Sequence, residues 1–315
     1  MSGAEFDFTR SVRPEGDLGV RWIHGSPSAR HRTDPPIQVH AYDETTYILR
    51  ESKDVSFEAP FLFLFFGNER AILFDTGATS DPHRFPLRRT VEELLGAWLA
   101  SHPRAGYELV VAHTHSHKDH TGGDAQFRDR PLTRIVGPSV EEVRHFFGLA
   151  GPAGDPQSFD LGGRTLDVFP IPGHHPASIA VYDRWTTLLL TGDTICPGRL
   201  YVFDMPAYVA SIDRIARFVE ARPVRWVLGS HVEMTQTAGL DFPFRARYQP
   251  RERPLEILPS RLPSVLSAVR RAAGRPGVYP FEEFVIFNGI GFASILGLLW
   301  RGWRWNLRHR LGAIH

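Results

Sequence analysis

Cysteine occurs once, at Cys196, so no disulfide can form within the chain. That fits a reducing compartment, and equally a periplasmic protein without bridges. Neither charge sign dominates: 36 Lys and Arg stand against 35 Asp and Glu, a net of +1. No global field therefore draws nucleic acid or an acidic partner. Lysine is confined to Lys53 and Lys118, and the remaining basic residues are arginines. Long apolar runs are absent too. Phe284–Trp300 is free of charge for 17 residues, but Phe284–Phe287 reads as strand. What remains, Ile290–Trp300, is too short to cross about 30 Å of hydrocarbon. Met1–Arg10 is polar, with Glu5 and Asp7, and has no signal-peptide pattern. The expected location is the cytoplasm, with membrane association through the C-terminal tail as an option.

What the chain does have is size, apolar content and histidine. Its 315 residues are 42% apolar and 23% charged, enough to bury a core and unlike a disordered chain. Residues 1–36 read as a polar N-terminal arm. Strand signals begin at Ile37. Phe61–Phe66 and Ala71–Phe74 are apolar runs around a Gly67-Asn68-Glu69 turn, a hairpin whose strands are covered on both faces. Val91–Ala100 has helical spacing, and Leu109–Ala112 is a short buried strand. Ser139 with Glu142 makes a capping box for a helix through Phe147. Strands at Arg164–Phe169, Ile179–Tyr182, Thr187–Leu190 and Val224–Leu228 alternate with a helix at Ala207–Ala221. A further helix covers Leu262–Ala273, and Phe281–Phe287 is the last strand. The pattern is α/β, with mixed sheets and helices outside, and one domain over residues 37–287. Residues 288–315 form an apolar, then basic, tail.

Of 15 histidines, four fall between His113 and His120. His115, His117, Asp119 and His120 form an H-x-H-x-D-H string directly after a strand. Three imidazoles and a carboxylate so close suit Zn²⁺ or a similar borderline cation. Chance produces such a string on the order of twice in a thousand chains. His113 has the wrong register and reads as a strand residue or a support for the ligands. Other strand ends supply more donors: Pro172-Gly173-His174-His175-Pro176, Thr191-Gly192-Asp193-Thr194 and Gly229-Ser230-His231. Each alone is a weak signal; in this order after the histidine string they are strong.

With Phe74-Asp75-Thr76-Gly77, these motifs resemble the metallo-β-lactamase-fold superfamily of metallo-hydrolases over roughly residues 37–231. The resemblance implies an αββα sandwich of two mixed β-sheets with metals at one edge. It implies His115, His117 and His174 on a first metal, Asp119, His120 and His231 on a second, and Asp193 bridging. The implied cofactor is Zn²⁺, two per chain, with Fe or Mn as alternatives. Asp75 would orient a ligand imidazole, or form an Asx turn with Gly77. His174 is preferred to His175 by its place after glycine, leaving His175 for substrate.

An acidic residue at position 193 is similar to the thioesterase, lactonase and phosphodiesterase branches, not to dedicated β-lactamases. His117 argues against the flavodiiron branch. No long insertion, such as nucleic-acid-cutting branches carry, separates Asp193 from His231. The resemblance thus implies a glyoxalase II-like or lactonase-like hydrolase acting on a small-molecule ester, lactone or thioester. A metal-bridging hydroxide would attack, and Asp119 would orient it and relay its proton. The alternatives are a phosphodiesterase, or a mononuclear iron persulfide dioxygenase using His115, His117 and Asp193. A third is a docked protein with structural metals. Cys196 reads as a structural thiol, since no activating base accompanies it. Tyr201 and Tyr208 read as packing residues before oxyanion donors. Trp22 and Phe57–Phe66 read as core before acyl pocket. No nucleic-acid partner is expected. Residues 290–310, apolar and then Trp/Arg-rich, suit a peripheral membrane contact, though packing on the chain itself or a second subunit is the favoured expectation.

Overall fold

The computed structural model describes residues 5–10, 13, 15–149, 154–289 and 292–310. Residues 1–4, 11, 12 and 14 of the expected arm, and Ile290, Gly291 and residues 311–315 of the tail, lie outside these. The first sheet takes six strands in chain order: β1 (Ile37–Asp43), β2 (Thr46–Glu51), β3 (Phe61–Phe66), β4 (Arg70–Phe74), β5 (Glu108–Ala112) and β6 (Thr133–Ile135). β1 to β4 pair antiparallel, and β4, β5 and β6 pair parallel. There follow β7 (Gln157–Asp160), β8 (Thr165–Pro170), β9 (Ile179–Asp183), β10 (Leu188–Gly192), β11 (Arg199–Val202), β12 (Trp226–Gly229) and β13 (Glu256–Ile257). The second sheet is ordered β13-β12-β10-β9-β8-β7. β14 (Gly277–Pro280) and β15 (Val285–Asn288) join β11 in a small third sheet, which the sequence reading did not anticipate.

The main helices are α1 (Leu87–Ser101), the single turn α2 (Lys118–Thr121), α3 (Val140–Phe147), α4 (Met205–Ala221), α5 (Leu262–Ala272) and α6 (Phe292–Arg310). The alternation of strand side chains explains the layering. Phe61, Phe63 and Phe65 of β3 turn inward and share one core with Val168, Val181 and Leu190 of the second sheet. Leu62, Leu64 and Phe66 turn outward onto Val91, Leu95 and Trp98 of α1. On the far side, Tyr182, Leu189 and Val227 pack with Ile212 and Ile215 of α4 and Val265 and Val269 of α5. The result is helix, sheet, sheet, helix. Each fully buried Phe or Leu contributes about 1.5–3 kcal/mol, so the apolar run of β3 stabilises both interfaces at once.

One polar clamp joins the two sheets. Arg164, fully buried, donates to the carbonyls of Thr45 (2.8 Å) in the β1–β2 turn and Phe66 (3.0 Å) in β3, and to Asp183 Oδ2 (2.6 Å) at the end of β9. The loops that matter leave the carboxyl ends of β4, β5, β10 and β12. Parallel pairing puts Phe74 beside Ala112 and Gly192 beside Gly229. It thereby delivers Asp75, the histidine string, Asp193 and His231 to one edge, where open α/β sheets hold their ligands.

Candidate metal centre

The H-x-H-x-D-H string lies in the loop after β5 and in α2, not on the strand itself. His117 is the residue before α2, so His115 and His117 approach from an extended loop and Asp119 and His120 from a helical turn. His174 comes from the loop after β8. Gly173 has φ of +131°, and a Cβ there would sit 2.4 Å from the Cα of Tyr208. Only glycine fits, and that close approach of the loop to α4 fixes where His174 stands.

Three ring nitrogens meet at one point. His115 Nε2 is 3.0 Å from His117 Nδ1, and His174 Nε2 is 3.2 Å and 3.1 Å from those two atoms. Burial pushes the His115 imidazole well below its usual range, and His117 and His174 are pushed down for the same first reason. The three rings are therefore neutral at pH 7 and present lone pairs, as a cation requires. Asp193 Oδ2 lies 3.8 Å from His115 Nε2 and 3.7 Å from His174 Nε2.

The other oxygen of Asp193 faces a second group. Oδ1 is 3.5 Å from His120 Nε2 and 3.4 Å from His231 Nε2, and Asp119 Oδ2 is 3.4 Å and 3.3 Å from the same nitrogens. Burial opposes charge on all four groups. The carboxylates nonetheless hold His120 well above its usual range and His231 at about 9, while the imidazoles hold Asp119 and Asp193 well below theirs. The cluster attracts positive charge.

All seven expected donors are thus brought together: His115, His117 and His174 in one group, Asp119, His120, Asp193 and His231 in the other, with potential ligand atoms within 4.8 Å in each. His120 Nε2 and Asp193 Oδ1 are buried and have no hydrogen-bond partner. Buried polar atoms are rarely left so, and an orphaned nitrogen and oxygen turned toward one another's neighbours fit a pair of cations.

Supporting contacts aim the rings. Asp75 Oδ2 is 2.9 Å from His120 Nδ1, and Asp75 accepts from the Thr114 amide (2.7 Å) and hydroxyl (2.8 Å). Of the two roles open to Asp75, this is the orienting one; it occupies left-handed backbone, φ +69°, which Asp tolerates better than most residues. His174 Nδ1 is 2.8 Å from the Tyr201 carbonyl, and His231 Nδ1 is 3.1 Å from that of Glu58. These carbonyls leave no trace in the sequence, since any residue supplies one. Sequence reasoning also missed Glu51 and Glu58, whose carboxyls burial raises to about 7. His113 is turned away, 2.9 Å from Asp124 Oδ1, and His175 stands beside the first group with its ring 4.9 Å from that of His117. Cys196 is buried, and burial raises its thiol well above the usual range. Tyr208 is buried and donates to the Thr194 carbonyl at 2.5 Å; the Tyr201 hydroxyl accepts from Arg199 Nε at 3.0 Å. Both tyrosines pack, as the sequence reading preferred. Trp22 packs edge-on against Phe61.

Residues 57–231 match the model of the metallo-beta-lactamase superfamily, more than half of the chain. The chain belongs to that superfamily. Its relatives include the hydroxyacylglutathione hydrolase of Pseudomonas savastanoi pv. phaseolicola, 32% identical over 135 residues, which are 39% of this chain and 48% of the relative. That of Anaeromyxobacter dehalogenans is 38% identical over 87 residues, 27% of this chain and 32% of the relative. The chain spans about half the length, or less, of the curated relatives it matches. Among solved structures, DIM-1 metallo-beta-lactamase exposed to ceftazidime aligns with a TM-score of 0.50 at 16% identity, over 76% of this chain and 100% of that one. This likeness shows the shared superfamily fold. In this superfamily member the two donor groups are candidate metal-binding clusters.

Proposed function

We propose that the chain is a binuclear metal-dependent hydrolase of a small-molecule ester, lactone or thioester. The observation that carries this reading is Asp193, whose two oxygens face two separate donor groups. When bound there, a pair of divalent cations supplies Lewis acidity and lowers the pKa of water to about 7. His115, His117 and His174 would hold one cation, and Asp119, His120 and His231 the other. Asp119, whose Oδ2 lies 3.3 Å from His231 Nε2, would orient the water and relay its proton. Because the second group has its own complete donor set, the single-iron triad is the weaker reading.

Phe203 supports an apolar acyl group. Phe203 is 69% exposed, with its ring 6.3 Å from that of His117 and 6.0 Å from that of His174. The hydroxyacylglutathione hydrolases among the relatives make acyl thioesters the first class to assay. The test is a panel of thioesters, lactones, esters and phosphodiesters, run on protein stripped with chelator and then reloaded with Zn²⁺, Mn²⁺ or Fe²⁺. Hydrolysis of a carboxylic ester or thioester that is lost on stripping and restored on reloading is expected. Failure of every metal to restore any hydrolysis overturns the proposal.

A further inference from the structure

α6 has two faces with different fates. Its inner face is fastened to the chain. Leu298 packs beside Met234, Val285 and Phe287, Asn306 Nδ2 donates to the Arg245 carbonyl (2.8 Å), and Arg301 pairs with Asp241 (3.0 Å). The helix backbone is pressed so close that a Cβ on Gly302 would meet the Phe244 carbonyl at 1.7 Å. Its outer face carries Leu296, Trp300, Trp303 and Leu307, spaced by four, three and four residues and so forming one stripe. They are 50%, 58%, 56% and 38% exposed, and the two tryptophan rings stack at 5.2 Å.

Burying a stripe of this kind in water-excluding surroundings is favourable, and its chemistry says in which. Arg304 is exposed beside it. From Phe284 to His315 the sequence has four arginines and no acidic residue. Tryptophan and leucine on one side with arginine alongside is the composition of a helix lying in the headgroup layer of an anionic bilayer. A second copy of the same helix offers no acidic residue between Phe284 and His315 to pair with Arg304. No helix among the described residues is long and apolar enough to cross a membrane, so the contact is peripheral.

We propose that the outer face of α6 docks the protein on anionic lipid bilayers through Leu296, Trp300, Trp303 and Leu307. The experiment is co-sedimentation of the full chain with vesicles of phosphatidylcholine and phosphatidylglycerol, and with vesicles of phosphatidylcholine alone. Partition at least about tenfold stronger on the anionic vesicles, weakened by salt, is expected. The tryptophan emission should shift to the blue on binding. The double variant Trp300→Ser/Trp303→Ser should lose at least about tenfold in partition. Both rings are exposed, so its melting temperature should stay that of the parent. Equal partition on both vesicle types, or none on either, overturns the proposal. So does a dimer in sedimentation velocity that the double variant abolishes without any vesicle binding by the parent. None of these outcomes depends on the hydrolytic reading.

Discussion

Asp75 Oδ2 and His120 Nδ1 stand 2.9 Å apart, and both side chains are fully buried. The contact fixes which nitrogen of His120 is left for the site: Nε2, which makes no hydrogen bond and faces Asp119 and Asp193. A carboxylate on the far ring nitrogen sets the tautomer and raises the basicity of a ligating histidine.

Asp75→Asn therefore tests a positioning role. Asparagine tolerates the left-handed backbone at this position and can still accept from Thr114, but it presents no negative charge to His120. The variant should bind one of its two cations about 10–100-fold more weakly. The other cation, held by His115, His117 and His174, should be retained. Competition with a chromogenic chelator measures both. Loss of both cations together would point to general unfolding instead.

Arg164 and Asp183 make the prediction about stability. Burial opposes the Asp183 charge, but the Arg164 guanidinium and the Thr186 hydroxyl and amide outweigh it and leave the carboxyl below its usual range. A carboxylate depressed in the folded state stabilises at pH above its unfolded value of about 4, and that contribution is lost as pH falls through the folded value. Wild-type stability in denaturant melts should thus rise with pH across this window. Arg164→Met leaves Asp183 buried and unpaired and should cost about 3–5 kcal/mol at pH 7. The variant should also be less stable at pH 7 than at pH 4, the opposite of the parent. Parallel pH profiles for the two proteins would show that the pair contributes little.

Phe203 bears on specificity. If its exposed ring receives the acyl group, Phe203→Ala should raise KM about tenfold for long apolar acyl thioesters and about twofold or less for acetyl thioesters. Steady-state kinetics on a chain-length series separates this from a general loss, which would lower kcat for all of them alike.

Cys196 should be silent. Its thiol is buried and raised well above the usual range, so the thiolate is scarce at pH 7 and iodoacetamide should not label the native protein. Cys196→Ala should keep kcat within about twofold, at a stability cost of about 1 kcal/mol for the lost contacts. Inactivation by the reagent at the rate of a free thiol would reverse this.

Much of the site was legible because its signals are local. Four of the seven donors lie in one six-residue string, and the others follow apolar strands that announce their own ends. The β3 run Phe61–Phe66 likewise declared a strand covered on both faces, and Ser139 with Glu142 formed the expected capping box. What was not legible depends on distant partners. Asp75 before Gly77 reads equally as an orienting carboxylate or as an Asx turn until the loop after β5 brings Thr114 and α2 brings His120 against it. The third sheet rests on Arg199–Val202, a strand too short to carry a period and held by Val285–Asn288 far along the chain. α6 reads as an apolar piece and then a basic piece. It is one helix because its inner face has the chain to pack on while its outer face does not.

The central claim is that Asp193 stands between two cations. Anomalous scattering at the zinc edge, from crystals grown with Zn²⁺, measures this most directly. Two peaks about 3.5–4 Å apart are predicted, one among His115, His117 and His174 and the other among Asp119, His120 and His231. A single peak, or peaks that avoid Asp193, would contradict the account.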